Sequence, residues 1–278
     1  MEIDMNQEER LNYLVEGFKE DSVRYRDMEV SEDREERRKV LRSLMNIRMP
    51  GEMDREVLRV QDEYLQERAK EKGIITPEDI QTVAEELGSA HRHGDRISVW
   101  QGDITRLKTG AIVNAANSQM LGCFIPMHTC IDNCIHTFAG IQLRNSCSQY
   151  MGRMRKKYGR DYEEPTGKVF LTSGYNLPAE YVIHTVGPIV DGRLRDEHRN
   201  DLKKCYQSIM ECCLEHGIRS VAFCCISTGV FHFPNEAAAQ IAVDTVSAYL
   251  DLHDGAFDRV IFNVFKDYDR EIYDWLLK

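Results

Sequence analysis

From about residue 94 onward, short runs rich in β-branched residues alternate with longer amphipathic stretches, and this alternation is what most restricts the folds open to the chain. Strand-like runs are read at 96–100, 111–114, 168–172, 181–185, 220–226 and 259–264. Helical periodicity is read at 132–150, 195–216, 235–252 and 268–277. Such alternation implies an α/β fold, a mainly parallel or mixed sheet with helices on both faces. Ligands in this architecture bind in the loops beyond strand C-terminal ends.

Residues 1–90 lack the strand signal and read as a helical extension to the domain at 91–278. Leu11, Leu14, Val15 and Phe18 follow the i, i+3, i+4, i+7 spacing of one helix face. Ser31 is expected to cap a helix whose first turn holds Glu32, Asp33 and Glu35. Met53, Val57, Val60 and Tyr64 form another stripe, and Thr76-Pro77-Glu78-Asp79 is expected to start a helix running to about Leu87. Short amphipathic helices are rarely stable alone, so the extension is expected to pack on the domain C-terminal to it.

Residues 1–90 carry 15 Lys/Arg against 24 Asp/Glu, a net −9 of the total −10. No basic face is available to neutralise phosphates, so nucleic-acid binding is not expected. No apolar run approaches the ~20 residues that cross a bilayer. The acidic start Met1-Glu2-Ile3-Asp4 has no leader layout, so a cytoplasmic protein is expected. The nine cysteines match no secreted disulfide framework, which leaves metal ligands, nucleophiles or small core residues. Cys224 and Cys225, inside an apolar run, are read as core.

One segment is chemically distinctive. Cys123, His128 and Cys130 fall within eight residues, just after the buried-strand pattern that ends in Asn114-Ala115-Ala116-Asn117. Two thiolates and a neutral imidazole balance Zn²⁺ and leave one tetrahedral position open, the layout of catalytic rather than structural zinc. Cys134, one turn into the following helix, is the competing fourth ligand that would close the site. His184 is read as a core residue and His136 as a helix residue away from the metal, while His91 and His93 are read as exposed.

Four loops at strand ends complete the pattern: Gln101-Gly102-Asp103-Ile104-Thr105, the asparagine loop, His184-Thr185-Val186-Gly187-Pro188, and Ser227-Thr228-Gly229-Val230-Phe231-His232. In this combination and order, residues 94–278 resemble the macrodomain family, which binds ADP-ribose. The resemblance implies a three-layer α/β/α fold with a central mixed sheet. It implies that Asp103, with Ile104 beside it, accepts the adenine amino group, and that Ser227, Thr228, Gly229, Val230 and Phe231 cradle the diphosphate. Asn117 would hold the distal ribose. Asn114 is read as either substrate-facing or tying the loop backbone. Phe265 is a candidate for stacking near the adenine, with core packing as the alternative. His232 departs from the family, standing where a glycine often follows the aromatic residue. Gly122 to Cys130 replaces the usual glycine-rich stretch, and Ile131-Asp132-Asn133 falls where Val-Asp-Gly is common. This looks like the zinc-dependent branch, bacterial proteins associated with a sirtuin-class ADP-ribosyltransferase and a lipoyl-carrier substrate.

The expected function is therefore zinc-dependent hydrolysis of mono-ADP-ribose from protein side chains, carboxylate-linked ones favoured. One zinc on Cys123, His128 and Cys130 would contact water or a distal-ribose oxygen, and Asp132 would orient water or take its proton, unless it serves as a helix N-cap. A non-catalytic ADP-ribose reader, an O-acyl-ADP-ribose hydrolase and a structural-zinc interaction protein are the alternatives.

Overall fold

The computed structural model describes residues 5–278; the reading made of Met1-Glu2-Ile3-Asp4 lies outside the described residues. The described chain opens with α1 (Gln7–Glu20), α2 (Arg34–Ile47) and α3 (Arg55–Lys72), followed by the short α4 (Val83–Leu87). Each of the first three starts on a side-chain cap, Asn6, Asp33 and Asp54. These oxygens satisfy backbone donors that the first helical turn leaves unpaired. Leu11, Leu14, Val15 and Phe18 are all buried against Leu41, Leu44, Met45, Val57, Val60 and Tyr64. Fully burying one such side chain contributes roughly 1.5–3 kcal/mol, which offsets the marginal stability of a short helix.

Two expected starts move. The Ser31 hydroxyl only accepts the Asp33 N–H, and Asp33 itself caps α2 through the Glu36 N–H at 2.9 Å, so Glu32 lies outside the helix. Thr76-Pro77 opens a single 3₁₀ turn, Pro77–Asp79, and α4 starts separately on the Thr82 cap. Ile80 and Val83 join the core around the strand residues rather than that of the first three helices.

The sheet comprises β1 (Ile97–Gln101), β2 (Ala111–Ala116), β3 (Val169–Ser173), β4 (Tyr181–Val186), β5 (Ser220–Phe223) and β6 (Arg259–Val264). Their order is β1-β6-β5-β2-β4-β3, with β3 antiparallel to β4 and the other pairs parallel. Ala111, Ile112, Val113 and Asn114 are consecutive and fully buried. Neighbouring strand residues point to opposite faces, so both faces must be covered. The cover is α5 (Ile131–Ala139) and α6 (Ile141–Tyr158) between β2 and β3, then α7 (Asp196–Glu215) and α8 (Asn235–Leu252) between later strands. The first pair leads toward the β3 edge and the second toward the β1 edge. Right-handed crossovers therefore place them on opposite faces, giving three layers. The last helix, α9 (Asp267–Leu276), packs on α8, β1 and β6.

The single helix expected over 132–150 is broken. Gly140, at φ 92° and ψ 170°, separates α5 from α6. Five parallel strands bring their C-terminal ends to one edge, and there β2 and β5 are neighbours whose chains depart to opposite faces. That is where an open α/β sheet forms its ligand crevice.

Candidate active site

The C-terminal end of β2 meets the first turn of α5 in a buried polar cluster. Asn114 donates through Nδ2 to Asp132 Oδ1 at 2.8 Å and to His184 Nδ1 at 3.0 Å. With Nδ1 accepting, the network assigns the His184 proton to Nε2, which donates to Thr172 Oγ1 at 3.0 Å. Burial depresses the His184 pKa to about 3, so the ring is neutral. Asn114 thus holds Asp132 and does not tie the loop backbone. Asn117 does bind the loop, through the Gly122 carbonyl at 3.2 Å, and lies 3.4 Å from Asp132 Oδ2. Asp132 is not the helix cap; Cys130 occupies that position, its sulfur 3.4 Å from the Asn133 N–H. Burial raises the Asp132 carboxyl to about 6, against the Asn114 hydrogen bond and the Arg144 charge, which lower it. His136, one turn on, is buried 3.5 Å from Asp132 Oδ1, with both ring nitrogens unpartnered. Its ring fills the space beside Gly122, where a Cβ would come within 2.8 Å of it at φ 80°. That close approach requires glycine there.

Cys123, His128 and Cys130 converge, their ligand atoms lying within 4.8 Å of one another. Cys123 Sγ is 3.4 Å from His128 Nδ1. Donors on a tetrahedral zinc stand roughly 3.5 Å apart, so the donor set and its spacing fit that ion. Cys134 is not in this group. Its sulfur instead lies 3.7 Å from the Arg42 guanidinium, near Lys72 and Asp103.

The other loops emerge at the same sheet edge. Asp103 accepts the Thr105 N–H and hydroxyl on Oδ1, while Lys72 Nζ sits 2.6 Å from Oδ2. Burial pushes this carboxyl up, but Lys72 and Thr105 outweigh it and hold it below its ordinary value. Lys72 also donates to Thr105 Oγ1 at 2.7 Å and lies 3.5 Å over the Phe138 ring. The Ile104 side chain is core. Next to this loop the Trp100 ring lies flush on Gly102, where a Cβ would come within 2.6 Å. Phe265 is 78% exposed, so it is not a core residue. In the β5 loop Ser227 and His232 adopt left-handed φ values of 66° and 56°. The glycine-like turn at His232 is thus kept without glycine. Ser227 Oγ is buried and unpartnered, and Val230 is 68% exposed. Among the described residues no acceptor engages the Gly229, Val230 or Phe231 N–H groups.

Two further histidines differ from expectation. His93 is buried with Nε2 2.8 Å from Asp251 Oδ1, and His91 reaches Ser247 Oγ at 3.2 Å. Arg42, Asn46 and Lys72, which reach the site from α2 and α3, gave no signal in the sequence; only folding brings them to partners tens of residues away.

Residues 113–242 match the Macro domain family. The "Protein-ADP-ribose hydrolase" of Treponema medium is 45% identical over 273 residues, 98% of this chain and 100% of that protein. The chain belongs to the macro domain family. A second relative of this macro domain protein, the "Protein-ADP-ribose hydrolase" of Staphylococcus aureus (strain MSSA476), is 41% identical over 95% of this chain and 93% of its own. Among solved structures, the Trypanosoma brucei macrodomain in complex with ADP-ribose superposes with a TM-score of 0.62 at 31% identity, covering 78% of this chain and 86% of that one.

Proposed function

We propose that this macro domain protein hydrolyses the bond between mono-ADP-ribose and a modified protein side chain, carboxylate-linked acceptors first, with one zinc ion on Cys123, His128 and Cys130. The observation that carries the reading is the placement of a three-donor cluster at the cap of α5, two residues from a buried carboxylate fixed by Asn114. The activity for which the two relatives are named supports the same reaction. When bound, zinc would supply Lewis-acid stabilisation of charge as the anomeric bond breaks.

The chain's own residues do the rest. The Gly229, Val230 and Phe231 N–H groups bind the diphosphate, with Ser227 and Thr228 framing them. Asp103, beside Ile104, accepts from the adenine amino group, and Phe265 stacks over the base. Asn117 holds the distal ribose hydroxyls. Asp132, its Oδ1 fixed by Asn114, takes a proton from water at Oδ2 as the carbon–oxygen bond to the acceptor is replaced.

We read 1–90 as the helical extension and 91–278 as the hydrolase domain of a cytoplasmic protein; no helix among the described residues is long and apolar enough to cross a membrane. By resemblance to the sirtuin-associated branch, the partner is an ADP-ribosylated lipoyl-carrier protein.

The test is to incubate metal-replete and chelator-treated protein with carboxylate-linked and serine-linked ADP-ribosylated proteins and to measure free ADP-ribose. Release from the carboxylate-linked protein by the metal-replete form alone is expected. Equal release after chelation overturns the zinc requirement. Tight ADP-ribose binding without any release makes the protein a reader.

A further inference from the structure

The loop that carries the three metal donors takes its shape from α2. Among the described residues, one main-chain hydrogen bond is internal to 123–130, from the His128 N–H to the Ile125 carbonyl at 3.2 Å. The outside contacts are more numerous. Asn46 Oδ1 accepts the Met127 N–H at 3.0 Å, and Asn46 Nδ2 donates to Thr137 Oγ1 at 2.8 Å. Met127 has a left-handed φ of 57°, which a non-glycine residue adopts only when held there. Arg42, one turn before Asn46, donates to the His128 carbonyl at 2.8 Å and to Asn133 Oδ1 at 3.0 Å.

Asn133 passes that contact on. Its Nδ2 donates to the Cys123 and Ile125 carbonyls at 3.3 and 3.0 Å, and its N–H points at Cys130 Sγ. From the other side Arg144 donates to the Leu121 carbonyl and to the carbonyls of Met45, Asn46 and Arg48 at the end of α2. Every donor residue is therefore tied, directly or through Asn133, to α2.

The geometry points to Arg42 and Asn46 as positioning residues for the metal, so that docking of α2 and retention of the ion are one linked event. This rests on the proposed zinc site at Cys123, His128 and Cys130. Partners that orient ligands without touching the metal typically change metal affinity about 10–100-fold when removed. The linkage is reciprocal, so the ion must also strengthen α2 docking.

The test uses the full chain. Zinc affinity is measured by competition with a chromophoric chelator for wild type, R42M, N46A, R42K and R38A, and the ligand-field absorption of each Co²⁺ form is recorded. R42M and N46A are expected to lose about 10–100-fold in zinc affinity and to shift the Co²⁺ bands, with R42K recovering most of both. R38A removes α2 ion pairs that run to Glu35 and Glu71 and is expected to keep wild-type affinity. Wild-type affinity and spectra in both R42M and N46A overturn the proposal, as does an equal loss in R38A. N46A and R42K carry the comparison if R42M does not fold. A wild-type chain that takes up no zinc sinks the metal reading itself, which separates that failure from this one.

Discussion

At the scale of single residues, the proposed function divides the site into groups that would hold and groups that would react. Cys123→Ser, His128→Ala and Cys130→Ser should each abolish metal retention and turnover while leaving the far-UV circular dichroism unchanged; full turnover in any metal-free variant contradicts the assignment. Asp132→Ala tests a different link. Removing a general base typically costs 10²–10⁴-fold, so ADP-ribose release should fall by roughly that factor while zinc content and ADP-ribose affinity persist. Normal rates would show the carboxylate to be dispensable. Asn114→Ala acts through Asp132, since it strips the 2.8 Å donor from a carboxylate that is 5% exposed. A buried acceptor left unsatisfied costs about 1–3 kcal/mol, so lower stability and lower turnover should appear together.

At the scale of elements, the break between α5 and α6 is a fixed feature of the fold. Gly140 occupies a backbone region open essentially to glycine, and a Cβ there would meet Gln61, Gln142 and Asn176 side chains at 2.8–3.0 Å. Gly140→Ala should cost about 1–3 kcal/mol or more, read as a lower urea midpoint at unchanged slope. The Ala139-Gly140 pair was visible in the chain, yet apolar periodicity on either side masked it as one helix. The strands were legible because two-sided burial demands continuous apolar runs, as at 111–113 and 260–262. Helix starts were less so: Ser31 and Asp33 both offer capping oxygens, and only the final backbone path selects Asp33. His91 and His93 read as linker residues because nothing local announces Asp251 or Ser247, more than 150 residues away. For the same reason Cys123, His128 and Cys130 could be picked out by proximity in sequence, whereas Arg42 and Asn46 could not.

At the scale of the whole molecule, buried neutral imidazoles set an acid limit. Burial drives His184 down to about 3 and His136 well below its ordinary value, so the unfolded chain binds protons that the folded chain refuses. Stability from His184 is complete above about 6.5 and is lost as pH falls toward 3, at up to about 1.4 kcal/mol per pH unit, and His136 acts in the same direction. Uptake by Asp132, whose carboxyl is raised to about 6 from 3.8, opposes this loss only between about pH 6 and 3.8. His184→Gln should flatten the fall in unfolding free energy between pH 6 and 4 by up to about 1.4 kcal/mol per unit; an unchanged slope refutes the assignment. The chain has two tryptophans, Trp100 flush against the Gly102–Asp103 turn and Trp275 77% exposed on α9. Replacing Trp275 with phenylalanine would leave a single emitter at the end of the groove where the adenine is proposed to sit, and its fluorescence could then follow nucleotide arrival in real time without any attached dye.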